Sequence, residues 1–158
     1  MKNTQKDKAS KREGIRPLKV LALDIGEATI GLAVSDELGI TAQGLPTLQR
    51  KGVKKDIDAL RRIVKEFGVD KILLGLPRNM NGSIGTQGER VLTFGKCLEQ
   101  SLGRPVRFWD ERLTTVAAER TLIQAGMRRS RRRKTIDRVA AVLILQGYLD
   151  SQRGHHEE

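Results

Sequence analysis

The run Leu18-Lys19-Val20-Leu21-Ala22-Leu23 ends in Asp24, and Ile25-Gly26 follow at once. A short apolar run bounded by a turn signal reads as a buried strand. A carboxylate at the end of such a strand is unfavourable unless something cationic meets it, so this residue constrains fold and function together. Gly26-Glu27-Ala28 reads as a tight turn. Thr29-Ile30-Gly31-Leu32-Ala33-Val34-Ser35 reads as a second strand, which makes the pair an antiparallel hairpin.

A weaker third strand spans Thr41 to Leu48, and Pro46 within it argues for a sheet edge. Val53, Ile57, Leu60, Val64 and Phe67 recur at helical spacing, and Gly68 ends that helix. Ile72-Leu73-Leu74-Gly75-Leu76 has the character of a buried parallel strand. A helix from Gly85 to Leu102 and a strand Val106-Arg107-Phe108-Trp109 follow. Thr114 or Thr115 caps a third helix reaching Gln124, residues 126–135 read as a basic loop, and Ile136 to Leu149 as a last, largely buried helix. The order predicts an α/β fold with a mixed five-stranded sheet, an antiparallel three-strand meander plus two parallel strands, flanked by helices. The fold is expected over residues 17–151, after a basic, disordered N-terminal arm at 1–16 and before a short tail at 152–158.

The chain is long enough for one domain with a real core, at 158 residues. Its net charge of +11, from 30 Lys+Arg against 19 Asp+Glu, favours nucleic acid or an anionic membrane as partner. No apolar stretch is long enough to span a bilayer, and no apolar segment follows the polar N-terminus, so a cytoplasmic location is expected. The single cysteine, Cys97, fits a reducing compartment and reads as a packed small side chain. The only histidines, His155 and His156, lie near the C-terminus, which argues against a histidine-based zinc site or a Ser-His-Asp triad in the core. Aromatic residues are 3% of the chain, so phosphate contacts rather than base stacking should dominate any nucleic-acid affinity.

Two further acids stand in settings like that of Asp24. Glu111 follows the last strand, and Asp137 falls in the first turn of the expected last helix. If the first and fifth strands are parallel neighbours, Asp24 and Glu111 converge, and the last helix brings Asp137 to the same point. Converging carboxylates repel one another. Hard divalent cations, Mg²⁺ or Mn²⁺, relieve that repulsion, and two such ions suit phosphodiester hydrolysis without a histidine base. Plainer readings stand beside this one: Asp24 as a turn former, Glu111 in a surface pair with Arg112, Asp137 as a helix N-terminal charge, and Asp110 in place of Glu111.

The loop Pro77 to Ser83 joins a strand end to a helix start, a geometry suited to anions, with Arg78, Asn79 and Ser83 as candidate phosphate contacts and Arg112 nearby in the acidic motif. In the plainer reading it is an ordinary strand-to-helix connection. Arg128, Arg129, Arg131, Arg132, Arg133 and Lys134 form a dense basic run just before Asp137, placed to guide a phosphate backbone.

Four stretches, in order, resemble the motifs of the YqgF/RuvX family. They are Leu23-Asp24-Ile25-Gly26 with Ile30 to Asp36, Gly75 to Ser83, Asp110 to Thr115, and Ile136 to Leu149. The resemblance implies an RNase H-like fold related to Holliday-junction resolvases of the RuvC kind. It implies a cytoplasmic nuclease for 5′-end maturation of pre-16S rRNA, with junction cleavage in DNA as the alternative, and Asp24, Glu111 and Asp137 as its acidic positions. A non-catalytic nucleic-acid-binding module is a further alternative, and both a monomer and a homodimer are compatible with the sequence. Many members carry a basic pair before the Ile-Gly of the first motif, where this chain has Ala28-Thr29, and an apolar residue where Arg78 stands.

Overall fold

The computed structural model describes residues 16–113 and 129–156, with side chains of the last helix described from 138 to 154. Five strands form one mixed sheet: β1 (Val20–Ile25), β2 (Thr29–Ser35), β3 (Ala42–Gln49), β4 (Lys71–Leu76) and β5 (Val106–Asp110), in the order β3-β2-β1-β4-β5. The meander pairs antiparallel, and β1, β4 and β5 run parallel. β3, with its Pro46, is an edge strand, as the sequence predicts. The helices are α1 (Val53–Phe67), α2 (Thr86–Leu102) and α3 (Arg129–His156), and a 3-10 turn covers Glu111–Leu113. No described helix is long and apolar enough to cross a membrane.

Strand alternation sorts the core onto two faces. Leu21, Leu23 and Ile25 of β1, Ile30, Leu32 and Val34 of β2, and Ile72, Leu74 and Leu76 of β4 pack on one face against Ile57, Leu60 and Val64 of α1 and Val91, Phe94 and Leu98 of α2. Val20, Ala22, Ala33 and Leu73 pack on the other against Ala140, Ala141, Ile144, Leu145 and Leu149 of α3. Small residues there let the long helix lie close to the sheet. α3 runs antiparallel to β4. Tyr148 meets Lys71 at the start of the strand (Nζ to hydroxyl 2.7 Å), and Ile144 lies over Gly75 near its end. The N-terminal turns of α3 therefore head toward the edge formed by the strand C-termini.

Three expectations change. The run 129–135 is helical rather than a loop, because arginine and lysine are good helix formers and extend the turns that begin the buried segment. α3 also continues to His156, past Leu149, the expected end of that helix. It buries one stripe rather than its whole surface, since Arg138 is exposed. The N-terminal arm up to residue 15, the helix expected at 114–124 and Arg128 lie outside the described residues.

Candidate functional site

Asp24 is a β1 residue, not a turn former: it pairs in register with Gly31 of β2 and is 3% exposed. The turn closes one step later, where the Gly26 amide donates to the Thr29 carbonyl at 2.9 Å. By alternation Asp24 belongs to the face covered by α3, in line with Val20 and Ala22.

β1 and β5 are not neighbours. β4 lies between them, so a direct approach of Asp24 and Glu111 across adjacent strands is ruled out. Gly75 of β4 resolves the gap. It stands one residue past the Leu23–Leu74 pair, on the same face as Asp24. A Cβ at Gly75 would sit 2.9 Å from Glu111 Oε1 and 2.5 Å from Ile144 Cδ1. The Glu111 carboxylate thus reaches over β4 in the space that a side chain at 75 would fill. Asp24 has Gly31 beside it on β2, and Gly75 next to it on β4 makes room for the Glu111 carboxylate and Ile144. Asp24 and Glu111 line one cavity of about 370 Å³, together with Gly26, Glu27, Pro77 and Gln87.

Asp110, the competitor, is held by two arginines. Arg112 grips it through its backbone amide (2.9 Å) and through its guanidinium (Nη2 to Oδ2, 2.7 Å), and Arg78 Nε stands 3.7 Å away. The hydrogen bond from the Arg112 guanidinium, seconded by its amide and the Arg78 charge, holds the Asp110 carboxyl below its ordinary range despite partial burial. Asp110 also raises the Arg112 pKa. Two arginines on one carboxylate leave a net positive charge beside the cavity.

The loop after β4 is internally organised. The Asn79 amide donates to the Ser83 carbonyl and the Gly82 amide to the Asn79 carbonyl, each at 2.9 Å, while Gly82 takes a φ of 87°, a conformation that favours glycine. Ser83 Oγ donates to Asn81 Oδ1 at 2.6 Å and accepts from Asn79 Nδ2 at 2.9 Å. Arg78 Nη1 donates to the Gly82 carbonyl at 3.1 Å. Asn79 and Ser83 therefore shape the loop, and Arg78 and Arg112 gather at Asp110. Arg129, Arg131, Arg132, Arg133, Lys134 and Asp137 have helical backbone, but their side chains lie outside the described residues. Among the described residues no group of three acids, histidines or cysteines is placed to hold a metal.

Sequence reasoning missed Gly75, Gln87 and Arg50. Gln87 Nε2 donates to the Ile25 carbonyl at 3.3 Å. Arg50 braces the hairpin turn: its amide donates to the Ala28 carbonyl (2.9 Å) and its Nη1 to the Gly26 carbonyl (3.0 Å). Its Nε meets the buried Asp56 at 3.4 Å. A guanidinium from the end of β3 thus comes to the hairpin turn beside Ala28-Thr29.

The family model described as "RuvX: Holliday junction resolvase" matches residues 18–151. A relative from Clostridium novyi (strain NT), named "Putative pre-16S rRNA nuclease", is 55% identical over 134 residues, which are 85% of this chain and 99% of the relative. The chain belongs to the RuvX family. A second relative of the same name, from Clostridioides difficile (strain 630), is 55% identical over 132 residues, 84% of this chain and 94% of its own. Among solved structures, Thermus thermophilus RuvC in complex with a Holliday junction substrate superposes with a TM-score of 0.56 at 13% identity, covering 87% of this chain and 97% of that one. That likeness establishes the RNase H-like fold of this RuvX-family chain.

Proposed function

We propose that this chain is a divalent-metal-dependent nuclease that hydrolyses phosphodiester bonds in structured RNA, with the 5′ end of pre-16S rRNA as its substrate and the cytoplasm as its place of work. The observation that carries this reading is the meeting of Asp24 and Glu111 in one cavity across the glycine at 75. The names borne by relatives of more than 50% identity support the substrate, and the net charge of +11 suits a polyanion.

Asp24, Glu111 and Asp137 are the proposed metal ligands. Asp137 stands three, four and seven residues before Ala140, Ala141 and Ile144, the spacing of one helix face, and those three are buried toward the sheet. An all-carboxylate donor set fits Mg²⁺ or Mn²⁺. When bound, two such ions supply Lewis-acid stabilisation of the phosphoryl oxygens and an activated water. Glu111 needs the bare backbone at 75 to reach the cavity, and Gln87 secures the strand end that carries Asp24. Arg78 and Arg112, oriented by Asp110, hold phosphate beside the cavity. The run from Arg128 to Lys134 carries the rest of the backbone, most of it from the first turns of α3.

Asp24→Asn should lower cleavage of a pre-16S rRNA fragment by at least about 10³-fold while keeping the melting temperature and RNA affinity. Full activity in that variant would sink the mechanism. A second reading, junction resolution in DNA, is favoured by the description of the matching family. Side-by-side cleavage of the rRNA fragment and a four-way DNA junction separates the two. A wild-type protein that binds both and cleaves neither, with either metal, would point to a binding module.

A further inference from the structure

A second cavity, of about 650 Å³, opens next to the Asp24–Glu111 cavity. The two share Ile25, Gly26, Glu27 and Gln87 as a common wall. Its volume is that of a site for a small organic group. Ile25, Val53, Phe94 and Cys97 give it an apolar lining. Its charged residues are balanced, with Glu27 and Glu89 against Arg50 and Arg90. In a chain with a net charge of +11, a balanced cavity is a poor place for phosphate and a good one for a neutral, planar, partly apolar group.

Arg50 supplies a platform. Its guanidinium carbon lies 5.5 Å from the centroid of the Phe94 ring, and its Nε and Nη1 are engaged by Asp56 and the Gly26 carbonyl. A guanidinium fixed at its edges and backed by an aromatic ring offers its flat face, a surface on which unpaired bases stack. Thr86, Thr93 and Gln87 also line the wall. The Thr93 hydroxyl donates to the Glu89 carbonyl at 3.0 Å and the Gln87 Nε2 to the Ile25 carbonyl at 3.3 Å, which leaves their oxygens as acceptors.

We propose that this cavity receives one unpaired nucleobase of the substrate strand, close to the phosphate that is cut. The inference rests on the nuclease reading of the neighbouring cavity, and deepens it: the substrate must present a nucleotide that can leave its stack near the cleavage point. Base capture would set where the strand sits, while Asp24 and Glu111 act on the adjoining phosphate.

The test uses full-length Asp24→Asn protein and fluorescein-labelled oligoribonucleotides spanning the mature 5′ end of 16S rRNA. Each oligonucleotide carries one abasic nucleotide, moved through the sequence position by position. Binding is read by fluorescence anisotropy. The expected result is one position near the cleavage point where loss of the base weakens binding at least about 5-fold. Thr93→Trp, added to this protein, fills the cavity from an exposed position on α2. It should weaken the intact RNA by a similar factor and remove the penalty of that abasic position.

A measurement without a further substitution keeps the proposal open to refutation should the tryptophan variant misfold. Cys97 is the chain's single cysteine and lines the cavity. Its alkylation by iodoacetamide should slow when intact RNA binds and not when the RNA lacking the key base binds. Equal tolerance of abasic nucleotides at every position, or equal protection of Cys97 by both RNAs, overturns the base site while leaving the nuclease reading standing. Failure of any RNA to bind overturns the nuclease reading, and this inference with it.

Discussion

The two faces of the sheet are built from the same strands and do different work. Toward α1 and α2, β1 presents Leu21, Leu23 and Ile25, and β4 presents Ile72, Leu74 and Leu76, all buried in one large apolar cluster. Toward α3 the same strands present Val20, Ala22 and Asp24, and Lys71, Leu73 and Gly75. On β4 the side chains of that second face shrink from Lys71 through Leu73 to Gly75, and at the same edge of β1 an acid replaces hydrocarbon. Packing stabilises the first face by the area it removes from water. The second gives up part of that burial at one edge and gains a polar cavity. On the proposed nuclease reading, stability and chemistry are separated by strand alternation, at positions one residue apart.

Neighbouring substitutions can break this comparison. Gly75→Ala places a methyl group where Glu111 Oε1 and Ile144 Cδ1 now lie, at 2.9 Å and 2.5 Å. A displacement of the carboxylate by about 1 Å should reduce cleavage by about 10²-fold, with a modest overpacking penalty of about 1–3 kcal/mol. Leu74→Ala, one residue earlier and fully buried on the other face, should do the reverse. Denaturant melts should show a loss of about 2–5 kcal/mol, with kcat per folded molecule little changed. A Gly75→Ala protein with normal kcat, or a Leu74→Ala protein that is stable and inactive, would show that the faces are not divided in this way.

Most of the first face was legible in the sequence. The helix that ends at Gly68, the strands, and the edge position of β3 follow from local periodicity and from Pro46, and they stand where expected. The order of the parallel strands was not legible. Ile72-Leu73-Leu74 says that β4 is buried but not that it separates β1 from β5, because pairing is decided across the chain. For the same reason Gly75 read as an ordinary strand residue, although its missing side chain is what lets Glu111 reach over. Asp24 and Glu111 were marked by their places at strand ends, and they line one cavity. Arg50 carried no signal, since its use depends on β3 returning its end to the Gly26–Ala28 turn. The basic run read as a loop because its charge hid a good helix-forming composition.

The smallest expected effect lies at the top of β5, where adjacent acids divide the same way. Glu111 lines the cavity, and Asp110 anchors Arg112 and Arg78. Because Asp110 has a lowered pKa in the folded chain, its ionised form is favoured by folding. That contribution is complete above the unfolded value of about 3.9 and is lost as pH falls through the lower folded value. Melting temperatures of wild type and Asp110→Asn should therefore differ by a small constant amount above about pH 5 and converge toward pH 2. High salt should shrink the gap, since Arg112 is exposed. In cleavage assays the same variant should raise KM a few-fold and spare kcat, because the arginines lose their orientation while Glu111 keeps its place over Gly75. A fall in kcat as deep as that of Gly75→Ala would mean that Asp110 belongs to the reacting cavity, and that the division between the two acids is wrong.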